Sequence, residues 1–183
     1  MTRSSPFLRP SARCGFSLLE LLVAIFIIGL LLGLAGIGLQ RSREVARTAV
    51  CASNLRQLST QLQVYLNDSR GLMPSFNNRV SSSDPGPAID TDLFEPGVGD
   101  GVMKCPADDR KIFETSGTSY YWNFSLNGQK VDTMFSLFGG RDQNRIPLLS
   151  DKEGWHPELT PRVNILYADS HVGQQINFSV SLP

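Results

Sequence analysis

The sequence has few of the side chains on which metal and thiol chemistry depends. Its 183 residues include three cysteines, at positions 14, 51 and 105, and two histidines, at positions 156 and 171. No pair of them stands at the C-x-x-C or H-x-x-x-H spacing typical of metal sites. We therefore predict no metal site and no enzyme activity. We expect His156, His171, Asp169 and Cys105 to fix loops through hydrogen bonds.

The chain also lacks an excess of charge of either sign. It contains 17 basic and 17 acidic side chains, so its formal net charge is zero. The first 15 residues carry three arginines and no acid, which leaves 14 basic against 17 acidic side chains in the rest, a net charge of −3. Proteins that bind nucleic acid usually present a basic surface. The composition therefore argues against a nucleic-acid partner.

One long apolar run dominates the N-terminal part of the sequence. Phe16 to Leu39 spans 24 residues, and Glu20 is its one charged side chain. A helix needs roughly 20 apolar residues to cross a membrane, whereas the apolar part of a secretory signal has about 7–15. The run therefore predicts a single transmembrane helix over residues 16–39. The preceding arginines predict that residues 1–15 are cytoplasmic and that residues after 40 lie outside the cytoplasm.

Glu20 needs an explanation, because a charged side chain within a membrane span is costly. Insertion scales put the cost at about 2.5–3.5 kcal/mol at the helix centre and less near the interface. Cleavage between Gly15 and Phe16 would create an α-amine four positions before Glu20. That cation could pair with the same chain's Glu20 or with Glu20 of a neighbouring copy. The pattern thus favours a subunit that packs side by side with others.

The segment Gly15-Phe16-Ser17-Leu18-Leu19-Glu20 resembles the processing signal of type IV prepilins and type II secretion pseudopilins. The resemblance implies that a prepilin peptidase and methyltransferase cleaves after Gly15 and N-methylates Phe16. It also implies that Glu20 is the glutamate needed for assembly.

By this resemblance the chain is a structural subunit of the inner (plasma) membrane, with a periplasmic or other extracytoplasmic domain. Its partners would be membrane lipid, an assembly platform and other pilin or pseudopilin subunits, in homo- or heteropolymers. The filament would be a type II secretion pseudopilus or a related type IV pilus. The alternatives are a minor pilin for adhesion or DNA uptake and, less in keeping with the pattern, a membrane-tethered enzyme.

The rest of the sequence predicts an α+β fold. Apolar or small residues at steps of three and four trace one helical face: Val45, Thr48, Cys51, Leu55, Leu58, Leu62 and Tyr65. We therefore expect one helix from Phe16 to about Asn67, packed on a small antiparallel sheet. The predicted regions are a leader (1–15), a transmembrane and assembly helix (16–39), the half of the helix outside the membrane (40–70), a loop-rich region (71–118) and a β region (119–183).

Alternating side chains and turn residues locate four predicted strands, at Tyr120–Phe124, Ile146–Ser150, Val163–Ala168 and Val172–Val180. Several segments resemble the prepilin-type processing-associated subfamily of pseudopilin-like proteins: CASNLRQL from Cys51, KCPAD from Lys104 and NILYAD from Asn164. That subfamily usually has Asp-Gly at the last hairpin, where this chain has Asp169-Ser170. Its signature histidine also lies nearer to that aspartate than His156 does.

Two features of this region stay open at the level of sequence. Once the leader with Cys14 is removed, Cys51 and Cys105 form an even pair, which allows one disulfide but equally allows two buried thiols. Some secretion pseudopilins hold calcium in their C-terminal loops. By that resemblance Asp151, Glu153 and Asp169 are the candidate oxygen ligands, although they lack a regular ligand spacing.

Overall fold

The computed structural model of the protein describes residues 17–93, 99–136, 140–158 and 162–174, without the side chains of residues 34–38 and 100. The predicted leader and Phe16 lie outside these residues, as does the predicted end of the fourth strand beyond residue 174. By internal contacts the chain divides into two compact units, Met1–Gln40 and Arg41–Pro183.

Helix α1 runs from Leu18 to Asp68, which confirms the long helix predicted from the sequence. Its C-terminal end is set by backbone geometry. Arg70 and Gly71 have φ angles of 55° and 77°, and the Gly71 N–H donates a 2.8 Å hydrogen bond to the carbonyl of Leu66. Such an i to i−5 bond, with residues in the left-handed region, is typical of a helix terminus, and glycine adopts this conformation without steric cost.

The C-terminal half of α1 buries one face. The fully or nearly fully buried residues recur at steps of three and four: Cys51, Leu55, Leu58, Leu62 and Leu66. They belong to the hydrophobic core that also contains Tyr120, Trp122 and Leu149 of the sheet described below. The predicted apolar face is thus confirmed from Thr48 onward. Val45 is an exception, because its side chain is exposed.

The region from 71 to 118, predicted to be rich in loops, contains three short helices that were not predicted from the sequence. One-turn helices form there: α2 (Ile89–Asp92), α3 (Asp100–Met103) and α4 (Ile112–Ser116). Helix α4 shows why. The Asp108 carboxylate accepts hydrogen bonds from the N–H groups of Ile112 and Phe113, at 3.0 and 2.8 Å. These donors have no partner within the helix, so a carboxylate in front of them stabilises its first turn.

Four short strands form one antiparallel sheet in the order β1-β2-β3-β4: β1 (Tyr120–Trp122), β2 (Pro147–Asp151), β3 (Ile165–Tyr167) and β4 (Val172–Gly173). Trp122 lies opposite Leu149, and Ile165 lies opposite Gly173. Single 3-10 turns occupy Phe124–Leu126, Val131–Thr133 and Gln143–Arg145. The predicted α+β class is therefore confirmed, and each observed strand starts within two residues of the expected position.

Two details of the last hairpin differ from expectation. The alternation of side chains that located strand β3 is not matched by alternating burial: all three of its residues are buried, because it is an inner strand of the sheet. In the turn that follows, Ser170 has a φ of 72°. Serine therefore adopts here the positive φ that glycine would adopt more easily. Its hydroxyl accepts a 2.8 Å hydrogen bond from Ser59 on α1.

Candidate functional site

The predicted processing site and the predicted assembly glutamate stand at the start of α1. Gly15 and Phe16 lie outside the described residues. Glu20 is in the first turn, where its N–H donates to the Ser17 carbonyl at 3.0 Å. Its side chain is exposed. Among the described residues no cationic group pairs with it, and the next basic residue along the sequence is Arg41.

The apolar side chains that follow Glu20 are also exposed. The large hydrophobic residues from Leu18 to Leu32 are 45–81% exposed, for example 60% for Leu31 and 68% for Leu32. A helix that is apolar on every side is normally buried in a protein core or in lipid. These side chains therefore find no cover within one described copy of the chain.

No helix in the described part of the chain is both long enough and apolar enough to span a bilayer. The predicted span of residues 16–39 includes Phe16 and the side chains of residues 34–38, which fall outside the description.

A second constellation lies in the core of the C-terminal unit. Cys51 of α1 and Cys105, which follows α3, form a disulfide with a Cα–Cα distance of 5.1 Å and a sequence separation of 54 residues. Both side chains are fully buried. Of the two arrangements that the sequence left open, the structure has the bonded one. The bridge connects the long helix directly to the loop region that precedes the sheet.

His156 packs against this disulfide and is 1% exposed. Its Nε2 atom lies 3.7 Å from Cys105 Sγ and 3.2 Å from Asp151 Oδ2. Its Nδ1 atom lies 2.8 Å from the Thr48 hydroxyl, whose oxygen also lies 3.1 Å from the Glu44 carbonyl oxygen. The histidine thus joins α1, the disulfide and the end of β2. This placement is consistent with the expected role of a loop-fixing histidine.

Asp151 is held from the other side by Asn164. Its Oδ2 atom accepts hydrogen bonds from the backbone N–H and the side-chain amide of Asn164, at 2.6 and 3.0 Å. The other carboxylate oxygen, Oδ1, is buried and accepts no hydrogen bond from any described residue. A buried carboxylate is costly unless cations or donors satisfy it. Asp151 therefore has one carboxylate oxygen that is well satisfied and one that is not, among the described residues.

The three carboxylates considered for calcium have three separate sets of partners. Asp151 faces His156 and Asn164, whereas Glu153 forms a 2.9 Å ion pair with Arg110. Asp169 accepts from His171 Nδ1, and the ring of His171 stacks on Tyr167 with a centroid distance of 4.4 Å. Within the described residues these acids do not converge on one position. His171 and Asp169 fix the last hairpin, as the sequence predicted.

Burial also changes the ionisation of two groups near the sheet. Desolvation raises the pKa of Tyr120, which is fully buried on β1. Desolvation lowers the pKa of Lys152, whose ammonium donates a 2.7 Å hydrogen bond to the Ser116 hydroxyl. In both cases the protein interior disfavours the charged form. The Ser116 hydroxyl is itself buried and donates to the Ile112 carbonyl, so this pair connects α4 to the residue that follows β2.

Sequence spacing gave no indication that Cys51, Cys105 and His156 come together. Their ligand-capable atoms lie within 4.8 Å of one another, but they come from α1, from the segment after α3 and from the loop after β2. Short motifs such as C-x-x-C report ligands of one local segment only. The one available signal was that Cys51 falls on the buried face of α1, where it must meet something else in the core.

Comparison with known proteins identifies the N-terminal segment. Residues 10–36 match the prokaryotic N-terminal methylation motif, a stretch that contains Gly15, Phe16 and Glu20. No curated protein and no solved structure showed significant similarity to the chain. At its N terminus the chain therefore carries the signature of type IV pilins and pseudopilins.

Proposed function

We propose that the chain is a structural subunit of a type II secretion pseudopilus or a related type IV pilus. The observation that carries the proposal is the match of residues 10–36 to the methylation motif, together with an acid in the first turn of an exposed apolar helix. Such a subunit acts by packing with copies of itself and with related subunits. No reaction is assigned to it.

In this proposal a prepilin peptidase cleaves between Gly15 and Phe16 and methylates the new N terminus. The free α-amine then pairs with Glu20 of a neighbouring subunit. Two isolated charges in an apolar environment are each unfavourable, and pairing them removes most of that cost. The absence of a cation near Glu20 in the described residues supports the view that its partner comes from elsewhere.

The same proposal assigns a topology. Residues 1–15 are cytoplasmic, residues 16–39 cross the inner membrane once, and the C-terminal unit lies outside the cytoplasm. The disulfide between Cys51 and Cys105 supports this side for the unit, because such bonds persist mainly outside the reducing cytoplasm. An assembly platform in the membrane would then move subunits from the bilayer into the filament.

Mass spectrometry of the chain from cells with an active prepilin peptidase tests the proposal. We expect a mature N terminus at methylated Phe16 and recovery of the chain in the sheared filament fraction. Gly15→Leu should block cleavage, since it alters the bond to be cut. Gly29→Ala is the matched control, because a methyl group at that position meets no atom within 4 Å. A wild-type chain that keeps Met1 would contradict the proposal.

A further inference from the structure

The position next to His156 Nε2 is surrounded by electron-rich atoms. Asp151 Oδ2 lies at 3.2 Å and Cys105 Sγ at 3.7 Å, and Cys51 Sγ also falls within the 4.8 Å cluster. All four side chains are at least nine-tenths buried. In the disulfide form, an N–H group at His156 Nε2 that donates to Asp151 Oδ2 gives both atoms a hydrogen-bond partner. Without the disulfide the two sulfur atoms become two further ligands.

We propose that in the dithiol form, before the disulfide is made, Cys51, Cys105 and His156 bind a tetrahedral divalent metal ion of the zinc class through three protein ligands, with the fourth position open to water. Two thiolates and one imidazole are typical zinc ligands. The disulfide and the metal are then alternative links between α1 and the C-terminal sheet, because sulfur atoms bonded to each other are not thiolates.

The distances fit such an ion. With Zn–S of about 2.3 Å and Zn–N of about 2.0 Å, a tetrahedral site places sulfur and nitrogen about 3.5 Å apart. The observed Cys105 Sγ–His156 Nε2 distance is 3.7 Å, close to this value. The one large adjustment is that the two sulfur atoms must separate to about 3.8 Å. Rotation of the two cysteine side chains is the motion that this requires.

Thr48 supports both states of the histidine. When Nε2 carries the proton, the Thr48 hydroxyl donates to Nδ1 across the 2.8 Å contact. When Nε2 binds a metal, the proton must be on Nδ1, and Thr48 then accepts it while its own hydrogen points to the Glu44 carbonyl at 3.1 Å. A partner that fixes the second ring nitrogen is a regular feature of metal-binding histidines.

Asp151 provides independent support. Its Oδ1 atom is buried without a hydrogen-bond donor among the described residues, although Asn164 satisfies Oδ2 twice. A buried carboxylate with an unused oxygen, next to the histidine that would bind the metal, favours a cation nearby. Binding would release the thiol protons, because a coordinated thiol is deprotonated.

Cobalt spectroscopy on the full-length chain in detergent tests the site, in a Cys14→Ser background so that the two core cysteines are the only thiols. The chain is unfolded in urea with excess dithiothreitol, which gives two electrons and two protons to the disulfide and becomes a cyclic disulfide itself. It is then refolded without oxygen in the presence of Co²⁺. We expect one cobalt per chain, with thiolate-to-cobalt charge transfer and the intense visible bands of a tetrahedral site, displaced by Zn²⁺.

The chain contains its own control, since it has two histidines. His156→Ala should weaken cobalt binding at least tenfold, whereas His171→Ala, an exposed position, should leave it unchanged. The oxidised wild-type chain should bind no cobalt at this site, a comparison that requires no variant to fold. A reduced wild-type chain that refolds without taking up cobalt would overturn the proposal. Equal binding by the oxidised chain, or by the two histidine variants, would do the same.

Discussion

The two stretches of helix α1 on either side of Gln40 are both rich in leucine but differ in what surrounds them. From Leu18 to Leu32 the large apolar side chains are exposed, and Glu20 near the start pairs with no cation among the described residues. From Cys51 to Leu66 one face is buried against a sheet and secured by a disulfide. Under the proposed function the first stretch finds its cover in other molecules, whereas the second is packed within its own chain.

The largest effect that we expect comes from Glu20→Leu. The variant should be cleaved and inserted as the wild type is, but it should not form filaments. Without the acid, the α-amine of the neighbouring subunit stays unpaired, at a cost of about 3–5 kcal/mol per contact, or more than about a hundredfold in the association constant. Immunoblots of sheared filaments against membrane fractions measure this.

Glu44→Leu is the matched control for that experiment. Glu44 is a partly exposed acid on the same helix but outside the apolar run, and its ion pair with Arg47 is a surface contact of 3.9 Å. Surface pairs contribute little. Filament yield should therefore be near normal. Normal filaments from Glu20→Leu would show that the exposed stretch does not require its acid.

In the C-terminal unit the largest expected loss comes from the disulfide. In the chain-entropy model, closing a loop of this length stabilises the folded state by about 4 kcal/mol. The double variant Cys51→Ser and Cys105→Ser should lower the free energy of unfolding by about that amount, measured by urea denaturation of the oxidised protein in detergent. An unchanged midpoint would mean that the cysteines are not bonded in the protein as purified.

A pair of leucine variants tests the difference between the exposed and the packed stretch of α1 most directly. Leu58 is 0% exposed, and Leu31 is 60% exposed. Leu58→Ala should destabilise the C-terminal unit by about 2–5 kcal/mol, because it removes buried apolar contacts and leaves a cavity. Leu31→Ala should leave the free energy of unfolding, measured by urea denaturation, within about 0.5 kcal/mol of the wild type. Similar losses in both variants would contradict the division of α1 into an exposed and a packed stretch.

The sequence predicted the long helix and the strands of this fold better than it predicted the local contacts that form its short helices and turns. Helix α1 was recognisable because its buried face repeats at steps of three and four, and the strands because turn residues separate short β-prone segments. The one-turn helices were missed, since a helix such as α4 depends on a single capping contact from Asp108 rather than on any periodic pattern. The positive φ of Ser170 was likewise unexpected in a residue other than glycine.

The candidate sites differ in the same way. Glu20 could be recognised because a charge inside a long apolar run stands out in one local segment. The cluster around His156 could not be recognised, because its members are separated by up to 105 residues and meet only after α1 packs on the sheet. The spacing of residues along the sequence can indicate a site that lies within one helix, strand or loop. A site formed between such elements can be recognised only once the fold is known.

The smallest effect that we predict concerns two adjacent tyrosines on β1. Burial raises the pKa of Tyr120, so the folded protein keeps its phenol protonated where the unfolded chain, with a pKa near 10, ionises. The unfolded state then binds fewer protons, and stability falls as pH rises above that value. Between about pH 9 and 11, Tyr120 should account for a loss of about 1.4 kcal/mol in the free energy of unfolding.

Urea denaturation at the two pH values should show a smaller loss of stability in Tyr120→Phe than in the wild type. Tyr121→Phe, at a position 41% exposed on the same strand, should lose as much as the wild type, and equal losses in all three proteins would show that the phenol of Tyr120 is not shielded by the core.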